Sequence, residues 1–217
     1  MRALLRKETR LSALALTYLF IAFAFMTLIP GYPILCGAFF MTLGLFQSFQ
    51  NAREANDIVY SALLPVAKKD VVKGKYLFTL FIEMAGFTVM SILTLVRMTA
   101  LADAPVYRQN ALMNANLFFL GMVLVLFGLF NALFVGRFFK TAYKLGKNYV
   151  IYIILAFLVI AMAEAVHYIP GFEDVNAFGF AHAGLQIALL LSGVICFVAL
   201  TFVSFKKACR AFENVDL

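Results

Sequence analysis

Leu117-Phe118-Phe119-Leu120-Gly121-Met122-Val123-Leu124-Val125-Leu126-Phe127-Gly128-Leu129-Phe130-Asn131-Ala132-Leu133-Phe134-Val135-Gly136 runs without a charge and with one strongly hydrogen-bonding side chain, Asn131. About 20 such residues wound as a helix reach across the ~30 Å hydrocarbon core of a bilayer. Spanning backbone must satisfy its own hydrogen bonds, which a helix does alone. Composition extends this reading to the whole chain. Of its 217 residues 64% are hydrophobic and 13% are charged, against roughly 45–50% and about 25% in a soluble domain. A mean hydropathy of +0.94 leaves too little polar surface to cover a globule of this size. The sequence therefore specifies an all-α integral membrane protein, and excludes a disordered chain, a secreted disulfide scaffold and a nucleic-acid module.

Six segments qualify as transmembrane helices: Leu11–Ile29, Ile34–Phe49, Tyr76–Val96, Leu117–Gly136, Tyr149–Ile169 and Ala183–Phe205. The first two are joined through Pro30-Gly31-Tyr32-Pro33, where the prolines end one helix and begin a turn. Sixteen of the eighteen Lys and Arg fall in four places: the N-terminal segment, the loop at 50–75, the loop at 137–148 and the tail from Lys206. Only Arg97 and Arg108 lie on the opposite side. Cytoplasmic loops carry the excess of Lys and Arg, so both termini are expected in the cytoplasm. The net charge of +7 is then a topology signal and no pointer to nucleic acid. Ala22-Phe23-Ala24 resembles a signal-peptide cleavage site, but the apolar run continues to Ile29, which favours a retained span. The chain reads as a single membrane domain, residues 1–217.

Enzyme constellations are missing. Gly74-Lys75 and Gly146-Lys147 lack the preceding glycine of a phosphate-binding loop, and Ser192-Gly193 belongs to no GxSxG elbow. Glu164 and His167 share a helix face at i, i+3, yet the second ExxH of a four-helix di-metal site is absent. Cys36, Cys196 and Cys209 are odd in number, far apart and in no CxxC, so they read as free thiols. No catalytic and no metal-binding residues are expected. Three ionisable residues fall at membrane depth, where charge costs at least ~2.5–3.5 kcal/mol at the centre: Glu83, Arg97 and Glu164. Glu83, about two turns into its span, either serves transport or makes a structural hydrogen bond. Arg97 and Glu164, toward the outer ends, read first as structural.

The loop after the second span runs Asn51-Ala52-Arg53-Glu54-Ala55-Asn56-Asp57-Ile58-Val59-Tyr60-Ser61-Ala62-Leu63-Leu64-Pro65-Val66-Ala67-Lys68-Lys69-Asp70-Val71-Val72-Lys73-Gly74-Lys75-Tyr76. It reads as a polar helix, a break at Leu64-Pro65, and a short basic helix leading into the third span. Ile58, Leu63, Leu64, Val66, Val71 and Val72 are many apolar residues for a charged connector, and a docking surface for a partner accounts for them.

This loop, with Glu54, Asn56-Asp57 and Leu64-Pro65-Val66-Ala67-Lys68-Lys69-Asp70, resembles that of small six-span permease subunits of type 2 ABC exporters. The basic Leu4-Leu5-Arg6-Lys7-Glu8 and the connector Gly136-Arg137-Phe138-Phe139-Lys140 are similar to that family too. Ala67 departs from it, standing where a serine that would cap the helix is common. The resemblance implies a type 2 exporter permease architecture and a coupling helix that presses on an ATP-binding subunit. Glu54, Asp57, Tyr60 and Leu63 on one side of the break, and Leu64, Pro65, Val66, Lys68, Lys69 and Asp70 on the other, would make that contact. It further implies two ATPase copies that bind ATP and Mg, no cofactor in this chain, and a second permease copy or sister permease. A bacterial plasma membrane is the implied location. The phenylalanine-rich spans suit amphipathic or hydrophobic cargo, and the exporters of phenol-soluble modulins are one branch of the family. Two rival readings stay open: an ion-coupled carrier using Glu83, and an intramembrane enzyme acting on lipid or peptide.

Overall fold

A computed structural model of the chain describes residues 2–63, 65–141 and 145–215. The described residues contain helices and turns and no strand. A short helix α1 (Arg2–Lys7) continues as a π turn (Glu8–Ser12). The first span is helix α2 (Ala15–Leu19) drawn out as a 3-10 helix (Phe20–Leu28). It begins later than the expected Leu11, because Ala13 and Leu14 take extended backbone and separate it from the N-terminal helix. At 2.0 Å per 3-10 residue, these fourteen residues reach roughly 25 Å. Stretching thus compensates for a short apolar run. Gly31, with φ of 72°, turns the chain into α3 (Cys36–Glu54).

The third to sixth spans lie where the hydropathy pattern puts them, and each is long and apolar enough to cross a bilayer: Lys68–Met98, Leu117–Lys140, Gly146–Tyr168 and Ala183–Glu213. They comprise α5 (Lys68–Met98), then α7 (Leu117–Phe130) with a π turn (Asn131–Val135) and α8 (Gly136–Thr141), then α9 (Gly146–Ala165), and α10 (Ala183–Glu213). Two small helices lie between spans, α4 (Asp57–Leu63) and α6 (Pro105–Arg108).

Lipid tails are as apolar as leucine, so burial alone does not drive these helices together; close packing of small residues does. A Cβ on Gly193 of α10 would sit 2.5 Å from the carbonyl oxygen of Gly121 and 2.6 Å from its Cα. One on Gly128 would meet the Phe197 Cα at 3.1 Å. Backbone therefore touches backbone along α7 and α10. Likewise the first span crosses α3 at Gly37 and Gly44, where a Cβ would lie 2.6 Å from the Phe23 carbonyl and 2.7 Å from the Phe20 Cβ. Thr17 donates to the Gly44 carbonyl at 3.0 Å and shares a 2.5 Å hydrogen bond with Ser48.

Aromatic rings fill the space between α3, the fourth span and α9. Phe46 stacks on Tyr149 at 3.9 Å, Phe49 meets Phe134 edge-on at 5.2 Å, and Phe130 meets Tyr152 at 5.2 Å. The two 5.2 Å pairs lie in the usual range for aromatic pairs, and the Phe46–Tyr149 stack is closer than that range. Outward faces stay apolar and exposed, with Ile154, Leu158 and Met162 on α9 and Leu191, Ile195 and Phe202 on α10. This is the arrangement lipid requires.

Candidate functional site

The four basic segments meet at one end of the molecule. Lys7 contacts the loop through Asp57, Lys68 bonds the carbonyls of Glu213 and Val215 at the end of α10, and Phe138 and Phe139 of α8 pack on Phe49 and Phe212. At this end lies a closed ring of alternating charge. Lys75 on α5 holds Glu8 at 2.5 Å and Asp57 at 3.0 Å; Lys7 holds the other oxygen of each, at 3.0 Å and 2.7 Å. The Lys75 and Glu8 side chains are both 2% exposed. Lys7 also donates to the Ser61 hydroxyl at 2.7 Å, and the Lys75 ammonium lies 5.8 Å from the Phe49 ring centre.

Charges this buried are tolerated only when paired on all sides, and the ring meets that condition. It ties three elements: the N-terminal π turn through Glu8, α4 through Asp57 and Ser61, and the base of α5 through Lys75. Burial by itself would raise the Asp57 carboxyl, but Lys75 and Lys7 outweigh it and hold its pKa below the ordinary 3.8. Burial likewise opposes the charge on Lys7, yet Glu8 and Asp57 prevail and raise its pKa above 10.5.

The loop residues distribute around this ring. Glu54 ends α3 and is exposed; Asn56 then takes a left-handed φ of 51°, a conformation asparagine accepts more readily than most residues, and re-aims the chain into α4. The polar helix expected from the sequence is therefore the end of α3 plus a separate helix of about two turns. Tyr60 is 62% exposed. Asp57, expected at a partner contact, faces inward because two ammonium groups claim it. Leu63 closes α4, its side chain and that of Ile58 lie outside the described residues, and Leu64 lies outside them altogether. Pro65 and Lys69 are exposed; Val66 packs against the core, and Asp70 is half-buried in the first turn of α5. Ala67 stands at the helix N-cap with no side-chain bond, and its carbonyl accepts from the Asp70 amide at 2.8 Å. Val71 and Val72 are buried in the chain's own core. That explains part of the loop's apolar content without a partner.

The membrane-depth residues separate. Glu83 is fully buried between α5, α7 and α10, where Asn131 donates to it at 3.0 Å. The same amide reaches Thr201 at 3.1 Å, and Ser204, bonded to the Tyr76 hydroxyl at 2.6 Å, donates to the Asn131 carbonyl. That carbonyl opens the π turn and accepts from the Gly136 amide as well, so Ser204 supplies its second partner. Arg97 is a cap: it donates to the Thr27 carbonyl at 2.9 Å and stacks on Tyr107 at 4.1 Å, whose hydroxyl bonds the Leu28 carbonyl. These are end carbonyls of the 3-10 helix, which lack partners within it. Glu164 accepts from the Met113 amide at 2.7 Å, and His167 and Tyr168 reach the Ala111 carbonyl. The pair thus fastens the outer loop to α9. Asp103 and Arg108 pair with each other at 2.6 Å.

Sequence reasoning missed Lys7, Glu8 and Lys75 as a unit. The available sign was Glu8, an acid alone in a basic segment, together with a lysine at the threshold of an apolar run. Between α5 and α10 the surface opens into a groove of about 340 Å³, lined by Leu77, Leu80, Val198, Phe202 and Phe205 with Lys73 at its rim.

No curated protein and no solved structure matches the chain. A family model described as "ABC-2 family transporter protein" matches residues 3–213. That match takes in the N-terminal segment, the charge ring and the four helices long and apolar enough to cross a membrane, so the chain belongs to the ABC-2 transporter family, as a membrane permease component that associates with an ABC ATP-binding subunit.

Proposed function

We propose that the chain is the permease half of an ATP-driven exporter, working in pairs with a second copy or a sister permease and with two ATP-binding subunits. ATP and Mg bind those subunits. The loop at 50–75 is the docking element, with Tyr60, Glu54, Pro65 and Lys69 as its exposed contacts. The observation that carries this reading is the charge ring. Any push on α4 is delivered through Asp57 to Lys75, and so to the base of a 31-residue helix that crosses the bilayer. A rigid-body response of this kind is how small displacements at a docking surface become movements of spans. Both termini and the loop lie in the cytoplasm of a bacterial cell on this reading, as the Lys and Arg distribution supports. Cargo is amphipathic or hydrophobic, in keeping with the apolar groove beside α5, and short amphipathic peptides are its proposed class.

A second reading rests on Glu83, whose Oε1 has no partner among the described residues: a carrier that couples cargo to ion movement there. One experiment separates the two. Purification from native membrane in mild detergent should bring an ATP-binding subunit with the chain. Tyr60→Ala should reduce that capture by about tenfold or more, as truncating a tyrosine anchor does, while leaving the melting temperature unchanged. A homo-oligomer free of ATPase overturns the exporter reading; transport that survives ATP depletion but fails in Glu83→Gln establishes the carrier.

A further inference from the structure

A hollow of about 210 Å³ lies between α8 and α10 at the basic end, separate from the loop at 50–75. Its floor is made of small residues, Ala132, Gly136, Ser204 and Ala211, and its rim carries three cations, Arg137, Lys140 and Lys207. The floor is small because the helices touch: a Cβ on Gly136 would collide with the Ser204 hydroxyl. Arg137 and Lys140 are held outward because the residues between them, Phe138 and Phe139, are buried against Phe49 and Phe212.

These cations differ from Lys7, Lys75 and Lys68 at the same end. Lys7 and Lys75 are consumed by Glu8 and Asp57, and Lys68 by backbone carbonyls. Arg137, Lys140 and Lys207 are all exposed and have no carboxylate within ion-pair distance among the described residues. Three like charges gathered on one concavity repel one another unless an anion is bound among them. Their depth says which anion. The apolar run of the fourth span ends at Gly136, next to Arg137, and that of α10 ends at Phe205, two residues before Lys207. The rim therefore lies at the level of lipid headgroups. One turn deeper on α10, on the face of Lys207, Val203 is exposed at 49%, an apolar surface on which an acyl chain can lie.

We infer that this hollow binds the phosphate headgroup of an anionic phospholipid. Basic hollows between spans suit that ligand, because charge and depth are matched together. The site goes beyond the proposed transport role and does not depend on it, since no residue of the loop at 50–75 takes part.

The test uses the full chain purified in micelles containing equal phosphatidylglycerol and phosphatidylcholine, with retained lipid counted by native mass spectrometry. Phosphatidylglycerol should be retained over phosphatidylcholine and should resist excess inorganic phosphate. The triple substitution Arg137→Gln, Lys140→Gln, Lys207→Gln should lower its retention by about an order of magnitude. Ala211→Phe, which fills the hollow and keeps the charges, should lower it too, whereas Lys147→Gln at the same end should not. Equal retention of the two lipids, an equal loss in Lys147→Gln, or undiminished retention in both the triple variant and Ala211→Phe overturns the site. Displacement by inorganic phosphate overturns the lipid as its ligand.

Discussion

Replacing Lys75 with methionine keeps most of the apolar stem of the side chain at the centre of the charge ring and removes its ammonium. Glu8, 2% exposed, loses its 2.5 Å partner, and Asp57 loses one of two. Lys7 is then the only cation for two carboxylates. Removing one member of a buried ion pair costs about 3–5 kcal/mol, because the other charge remains buried. For a chain of this length that corresponds to a fall of about 6–20 °C in melting temperature. The decisive variant is the double one. Glu8→Gln with Lys75→Met leaves Lys7 and Asp57 as a neutral pair at 2.7 Å, so the second substitution should restore about 1–3 kcal/mol of what the first removed. Melting the four proteins in the same detergent, followed by helical circular dichroism, measures the coupling directly. A double variant no more stable than Lys75→Met alone would refute the ring as a source of stability. ATP hydrolysis by the assembled transporter supplies a second readout: with the link from α4 to α5 cut, hydrolysis should continue while cargo export falls.

Further consequences follow from the same contacts. Since the Asp57 pKa is depressed, its contribution is present above the ordinary 3.8 and is lost only as pH falls through the lowered value. Lys7 contributes below 10.5 and its share is lost as pH rises through the raised value. Stability should therefore be flat between these limits, and Asp57→Asn should flatten the acid limb in a pH series of melts; an acid limb unchanged in Asp57→Asn argues against the pairing. Gly193→Val should prevent the close approach of α7 and α10, since its Cβ meets backbone at 2.5 Å, at a cost of about 3 kcal/mol or more. Gly146→Ala, with open space around it, should be nearly silent, and equal yields of folded protein from both would contradict the packing. Arg97→Gln should cost about 1–3 kcal/mol by stranding end carbonyls of the first span, measurable as faster proteolysis near Leu28.

The four long apolar helices from Lys68 onward were legible in position because hydrophobicity over about twenty residues is an additive property that needs no partner. The charge asymmetry was legible for the same reason, and the contacts of Lys7, Lys68 and Phe138 gather the basic segments at one end as that asymmetry requires. What pairing decides was not legible. Glu8 and Lys75 are far apart in sequence, and nothing local marks them as neighbours. The glycines that set the α7–α10 crossing sit at ordinary-looking places in apolar runs, and only the approaching backbone gives them meaning. Val71 and Val72 were read as surplus surface for a partner because period alone does not say which face of a short helix its own fold covers. Asp57 was assigned outward for the same reason.

The placement of polar groups divides the chain into parts with different mechanical roles. Helices α7 and α10 meet through backbone at Gly121 and Gly193, and Asn131, Thr201 and Ser204 bond across them lower down. Such contacts have one good register and yield little. The first span and α3 are joined similarly at Gly37 and Gly44. Helix α5 is different: along the bilayer it is fastened by Glu83 to Asn131, by Tyr76 to Ser204 and by Arg97 to the Thr27 carbonyl. Each of these is a side-chain bond at the end of a rotatable arm, and each can follow a tilt that backbone contacts would resist. The element gripped by the charge ring is thus fastened through side-chain arms, and its own close glycine, Gly86, meets the flexible Met41 side chain and no backbone. If α5 is the lever, cutting an arm should uncouple it: Glu83→Asp retracts the carboxylate from Asn131 by one methylene, and should slow export more than it lowers stability. A loss of stability matching the loss of export would instead make α5 a fixed post, with the movement lying between the two permease copies.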